Sequence, residues 1–242
     1  MPFVNNVKAI LNMFLPGQAG GEATRKLLYG EANPSGKLSE TWVKQLKDIP
    51  YFDKYSSHYL ENYKENIFVG YRYYDLRKDK VLFPFGYGLS YTDYEFTNAK
   101  IVENSITKDG ITVDFDVKNI GKVDGRTTVQ VYVKANRDNT PNAQLKFFEK
   151  VALAAGESKK LSVKLPLEAF GLYDEAGKMN VLAGEYTVYY SKADGEIYVN
   201  CFDPLCEHKE CSASGTLISK MVYCNGRFYT INMNQIREVV SY

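Results

Sequence analysis

Residues 111–119 read ITVDFDVKN, and this stretch decides the fold. Ile111, Val113, Phe115 and Val117 alternate with Thr112, Asp114, Asp116 and Lys118. A period of two puts the apolar set on one face of an extended chain and the polar set on the other. The pattern recurs in VQVYVK (129–134), LSVKL (161–165) and YTVYY (186–190). Turn residues separate these runs: Asn119 to Gly121, Asp124-Gly125, Gly156 and Ala183-Gly184. Each run is expected to be a half-buried strand with one wet face. Several such strands in about a hundred residues predict a sandwich of immunoglobulin type.

Moving toward the N-terminus, the composition changes. Between Tyr51 and Phe96, 15 of 46 positions are Tyr or Phe, which accounts for half of the chain's 20 tyrosines. Pro50, Pro84, Gly70, Gly86 and Gly88 break any long period. The stretch reads as long, packed loops with short strands, because disordered segments are poor in aromatics. Residues 1–40 look α/β. Ala9 to Leu15 (AILNMFL) is a nearly continuous apolar run, expected to be a strand buried on both faces, with a buried helical turn as the alternative. Ala19, Ala23 and Leu27 then repeat at helical spacing, with Leu28 beside them and Gly30 placed to end the helix. Asn33-Pro34-Ser35-Gly36 predicts a type I turn.

Toward the C-terminus, residues 199–242 hold all four cysteines, Cys201, Cys206, Cys211 and Cys224, with His208 among them. Their spacing departs from the close pairs of structural zinc sites. Free or structural thiols rank first, disulfides of open connectivity second and a metal third. Asn225-Gly226 between two apolar triplets predicts a tight hairpin.

Charge and composition exclude several classes. The 242 residues carry 30 Lys+Arg against 29 Asp+Glu, so nothing favours an electrostatically driven nucleic-acid binder. No apolar run reaches the length of a membrane span. Met1-Pro2-Phe3-Val4 opens no export signal, so the compartment stays unknown with the cytoplasm favoured, and the start reads as lying inside a larger product. His58 and His208 are the only histidines, and no cofactor or metal is expected.

The candidates for chemistry are few. Gly17, Gly20 and Gly21 sit where a strand would hand over to a helix, but their spacing fits no phosphate-binding fingerprint and close packing is the preferred reading. Glu22, Glu31, Glu40, Glu61, Glu65 and Asp75 are among the carboxylates of the first hundred residues. Glycoside hydrolysis needs two, one near each side of the scissile bond, and nothing marks a pair. Glu65, just before an aromatic run, is the substrate-contact candidate. Phe68, Tyr71, Tyr73 and Tyr74 serve either as sugar platforms or as filling between two domains, with filling preferred. Arg72 is placed to stack on a tyrosine ring or to bridge to Asp75.

Three blocks carry a resemblance: PGQAGGEATRKLLYGEANPSGKL (16–38), ENIFVGYRYYD (65–75) and FPFGYGLSYTDYEF (83–96). In order and spacing they closely resemble the C-terminal half of glycoside hydrolase family 3, the β-glucosidase family. VKNIGKVDGRTTVQVYVKA (117–135), LKFFEKVALAAGES (145–158) and AGEYTVYY (183–190) resemble the fibronectin type III-like domain that follows in many members. The resemblance implies a retaining β-glycosidase acting on β-linked glucosides. It implies an Asp nucleophile from a (β/α)8 barrel and a Glu acid/base upstream of Pro16, neither of which matches a position here. No catalytic residue is therefore assigned. The tail CFDPLCEHKEC (201–211) with YCNGRFYTI (223–231) resembles the opening strands of propeller-like surface lipoproteins.

The expected architecture is mainly β with an α/β part. Residues 1–94 are the C-terminal portion of an α/β sandwich domain, 95–198 a fibronectin type III-like β-sandwich, and 199–242 a cysteine-containing hairpin tail. The expected function is a fragment of a retaining β-glycosidase, inactive alone, whose partner is the missing barrel and whose ligand, with that barrel, is a β-linked glucoside or oligosaccharide. The alternatives are an accessory carbohydrate-associated or structural β-sandwich module, or part of a propeller-type surface protein.

Overall fold

A computed structural model describes residues 3–54, 63–102, 105, 107–191, 217–224 and 227–231. The helices are α1 (Gly20–Leu28) and α2 (Tyr71–Tyr74), and short 3-10 turns punctuate the loops between them. The strands are β1 (Trp42–Val43), β2 (Val81–Phe83), β3 (Tyr94–Ile101), β4 (Gly110–Asn119), β5 (Gly125–Ala135) and β6 (Gln144–Leu153). They continue with β7 (Ser158–Pro166), β8 (Leu172–Tyr173), β9 (Met179–Asn180), β10 (Gly184–Ser191), β11 (Leu217–Cys224) and β12 (Arg227–Ile231). No helix among the described residues is long and apolar enough to cross a membrane.

Two antiparallel sheets make the sandwich, in the orders β3-β4-β7 and β12-β11-β10-β5-β6. The alternation read from the sequence supplies the core between them. Val113, Phe115 and Val117 of β4 and Leu161, Val163 and Leu165 of β7 face Val129, Val131 and Val133 of β5 and Tyr186, Val188 and Tyr190 of β10. Nearly all are excluded from water, and each such side chain contributes about 1.5–3 kcal/mol by its burial. The Phe115 and Tyr190 rings stack at 5.5 Å across the two sheets. On β7 the other face is wet, as the pattern predicts: Lys160, Ser162 and Lys164 are exposed between the buried Leu161, Val163 and Leu165.

On β5 and β10 the second face is covered. Gln130, Tyr132, Thr187 and Tyr189 are all buried, with Tyr132 at 1% exposure. A smaller apolar cluster of Tyr132, Ala143 and Tyr189 packs there with Tyr71, Phe85 and Leu145. The expected wet face is thus a second packing surface. Period-two alternation distinguishes the faces of a strand without saying what lies on each.

The α/β part departs from expectation in two places. Ala9 to Leu15 is not a strand. No strand lies alongside it among the described residues, so its backbone has no ladder to join, and Leu11, Phe14 and Leu15 are exposed, Leu15 at 97%. The type I turn at Asn33 to Gly36 is replaced by irregular backbone. The Asn33 side chain is engaged elsewhere: its Oδ1 accepts from Ser90 Oγ at 2.9 Å and from Tyr91 N–H at 2.8 Å, and its Nδ2 donates to Asp124 O at 3.1 Å. α1 forms where predicted, and Gly30 follows its end at φ 73°, a conformation glycine adopts without penalty.

The tail hairpin pairs as predicted, with Cys224 opposite Arg227 across the two-residue link. β11 also joins β10, adding the hairpin to the sandwich's larger sheet. Cys201, Cys206, Cys211 and His208 lie outside the described residues, as does the Asn225-Gly226 turn itself.

Candidate functional site

The aromatic stretch folds onto the outer face of β5 and β6 because its ends are tied to the sandwich by polar side chains. At one end Asn119, fully buried, accepts from Thr92 Oγ1 at 2.6 Å and donates to Val123 O at 2.9 Å and Leu153 O at 3.3 Å. At the other, the Leu145 N–H donates to Tyr71 Oη at 2.8 Å. Between them Gly86, at φ 80°, lies so close to Gln130 that an added Cβ would sit 3.1 Å from its amide. A side chain there would be strained by its backbone and crowded as well.

Beside this seam is a cleft of about 460 Å³ lined by Ser39, Glu40, Thr41, Ile49, Val69, Gly70, Tyr71, Arg72, Tyr74 and Phe85. That volume suits a small ligand. Gly70, at φ 66°, turns the chain into α2. Tyr71 stacks on Phe85 at 4.6 Å and meets Tyr132 edge-on at 6.3 Å. Thr41 Oγ1 accepts the Phe85 N–H at 3.2 Å, which fixes the 39–41 wall against the 83–85 strand end.

Arg72 lies over the Tyr71 ring at 5.8 Å and donates from Nη1 to Ile67 O at 3.3 Å. Among the described residues its Nε is buried without an acceptor, and Oδ2 of Asp75, one turn on, is buried without a donor. Stacking on tyrosine is therefore the observed half of the expectation for Arg72. No ion pair with Asp75 forms. Burial pushes the Asp75 carboxyl up to about 7, against a small opposing pull from Lys78. Tyr132 is pushed up as well, by burial first and then by Tyr71 and Asp75. Lys146, on β6, is held below the usual ammonium range by burial and by Arg72.

The remaining carboxylates take ordinary places. Glu22 and Glu31 both grip Arg25, at 2.9 Å and 2.5 Å. Glu40 reaches the cleft, and its Oε1 accepts from Trp42 Nε1 at 3.3 Å. Glu65 opens the 3-10 turn at Asn66–Phe68 and does not line the cleft. Glu61 lies outside the described residues. Of the glycine cluster only Gly20 is closely packed, since a Cβ there would stand 2.7 Å from Pro16 Cγ, while Gly17 and Gly21 have open space where a Cβ would be. Among the described residues only one carboxylate, Glu40, lines the cleft, so these residues do not supply the two opposed carboxyl groups of glycoside hydrolysis. Lys146, Gln130 and Tyr132 were not singled out from the sequence, since nothing in strand alternation marks them.

Comparison with known proteins places the chain. Residues 1–91 match the glycosyl hydrolase family 3 C-terminal domain, and residues 127–193 match the fibronectin type III-like domain. The thermostable β-glucosidase B of Acetivibrio thermocellus is 40% identical over 202 residues, covering 81% of this chain and 27% of that protein. Among solved structures, a β-glucosidase from Kluyveromyces marxianus superposes with a TM-score of 0.72 at 39% identity, over 79% of this chain and 23% of that one. A family 3 β-glucosidase from Bifidobacterium adolescentis gives a TM-score of 0.73 at 32% identity, over 90% of this chain and 31% of that one. The chain thus spans about a quarter of the length of the relatives it matches. Over the matched residues it belongs to glycoside hydrolase family 3, carrying the family's C-terminal domain and the fibronectin type III-like domain that follows it.

Proposed function

We propose that this chain supplies the C-terminal, non-barrel part of a retaining β-glycosidase acting on β-linked glucosides or oligosaccharides, and that it is inactive alone. Its partner in this reading is a (β/α)8 barrel, with the first part of the α/β domain, which provides the Asp nucleophile and the Glu acid/base. Both groups must act on one glycosidic bond, one attacking the anomeric carbon and the other protonating the leaving oxygen. Within that assembly Glu65 is the side chain of this chain proposed to touch the sugar.

The observation that carries the reading is the set of large apolar side chains exposed in the region matching the family domain. Leu11, Phe14, Leu15, Leu28 and Tyr29 are exposed together in sequence segments 11–15 and 28–29, Leu15 at 97% and Tyr29 at 78%. Large apolar side chains left in water mark a surface that packs against another body. A free accessory module would gain nothing from so many exposed apolar side chains, whereas a domain that packs against more sheet and helix needs them.

The test is the activity of the purified chain on a chromogenic β-glucoside. No turnover above a buffer blank is expected. Clear turnover abolished by substituting a single Asp or Glu of this chain would overturn the reading.

A further inference from the structure

β10 is built as an interior strand. On one face Tyr186, Val188 and Tyr190 belong to the sandwich core, where Tyr190 stacks on Phe115 at 5.5 Å. On the other face Tyr189 packs with Tyr132 and Ala143. One edge of β10 pairs with β5 in unbroken register, from Tyr186 opposite Ala135 to Ser191 opposite Gln130. The other edge finds no partner among the described residues that match the family domains, which end at residue 193.

One bond fixes which backbone groups lie on that edge. The Glu185 carbonyl accepts the Asn136 N–H at 2.8 Å, on the β5 side. Backbone groups alternate along an antiparallel strand, so the odd-numbered residues of β10 turn theirs toward β5. Tyr186, Val188 and Tyr190 then present N–H and C=O to the opposite edge. Proteins blunt open edges with lysine or proline. β10 (GEYTVYYS) has neither, and Glu185 is its only charged residue. Such an edge is a template for a further strand.

The strand that takes it comes from outside the family match. β11 sets Met221 opposite Tyr186 and Ser219 opposite Val188, antiparallel. It also lies against β3 of the facing sheet. The hairpin therefore closes the side of the sandwich where Phe96 of β3 meets Tyr190 at 5.9 Å. Residues 192–216 tether it to β10, which gives an effective concentration on the order of a millimolar.

We propose that the outer edge of β10 is a strand-binding site, which accepts an extended segment in antiparallel pairing, and that the hairpin of residues 217–231 is its built-in, releasable occupant. The site does not depend on the glycosidase reading.

Amide hydrogen exchange of the full chain, read residue by residue by NMR, tests this. Tyr186 and Val188 should exchange about a hundredfold or more slower than in an unstructured peptide. In rising urea they should lose protection before Thr187 and Tyr189, since the hairpin leaves while β5 still holds β10. Met221→Pro removes an N–H aimed at β10, and should speed exchange at Tyr186 and Val188 about tenfold or more while Thr187 and Tyr189 keep their protection. A synthetic peptide of residues 217–231, added to that variant at about 1 mM, should restore the protection, and should leave the parent unchanged because the tether outcompetes it. Should the variant precipitate, the urea series on the parent decides. Unprotected Tyr186 and Val188 in the parent overturn the proposal, as does simultaneous loss of all four amides in urea. So does a soluble Met221→Pro chain with unchanged exchange, or one whose protection the peptide does not restore. Protection found only at concentrations where the parent dimerises overturns the intramolecular occupant and puts a second copy's strand on the edge.

Discussion

The Leu145 amide donates to the Tyr71 hydroxyl at 2.8 Å, joining residues 74 positions apart. It ties the aromatic segment to the sandwich at the point where β6 bulges, and it orders the Tyr71 ring against Phe85 and Tyr132. Replacing Tyr71 with Phe leaves that amide without its acceptor. We expect a loss of about 1–2 kcal/mol in denaturant-induced unfolding, and about 3–5 kcal/mol for Tyr71→Ala, which also removes the ring. A Phe variant as stable as the parent would show that the bond contributes nothing net.

Asp75 makes the seam sensitive to pH. Its carboxyl is pushed up to about 7 in the folded chain, from an ordinary value near 3.8. A folded-state value above the unfolded one means that the unfolded chain releases its proton first. The stability contribution is therefore full below about pH 4, falls as pH rises toward 7, and is flat above that. Glu22, Glu31 and Asp114, held low by Arg25 and Lys160, act in the opposite direction, so the difference between parent and Asp75→Asn isolates the effect. That variant should match the parent at pH 4 and exceed it by about 2–4 kcal/mol at pH 8. Parallel stability curves for the two proteins would contradict the assignment.

Asn119, at the end of β4, is a buried polar hub bonded to Thr92, Gly121, Val123 and Leu153. Asn119→Ala strands several of those groups at once. A loss of about 3 kcal/mol or more is expected, read as a lower melting temperature. An unchanged melt would mean that water replaces the side chain without cost.

The covered outer face predicts how fragments behave. Residues 95–198 are expected to fold alone and 1–94 are not. The isolated sandwich should nonetheless expose Tyr132 and Tyr189, which the longer fragment 63–198 keeps covered through Tyr71 and Phe85. Stronger binding of a hydrophobic dye and a lower melt are expected for 95–198. Limited proteolysis that left 1–94 as the stable core would contradict the account.

The sandwich strands were legible because β4, β5, β7 and β10 alternate cleanly and turn residues bracket them. β6 was legible only through resemblance: LKFFEKVAL lacks strict alternation, and the bulge at Lys146 is the structural counterpart of that irregularity. The seam was half legible. The excess of tyrosine pointed to filling between two parts, yet Gln130 and Tyr132 read as wet because alternation does not report a neighbour from 60 residues away. Ala9 to Leu15 misled because an apolar run becomes a strand only where another strand accepts its hydrogen bonds. Asn33 misled because distant backbone groups captured its side chain.

The central claim is that residues 1–198 are the working C-terminal part of a family 3 glycosidase. Its most direct test replaces the aligned C-terminal part of the Acetivibrio thermocellus β-glucosidase B with these residues and measures hydrolysis of a chromogenic β-glucoside. The account predicts turnover within roughly a hundredfold of the parent enzyme, lost when the exposed Leu15 is replaced in the chimera by Leu15→Asp. A soluble chimera that melts cooperatively and shows no turnover would contradict it.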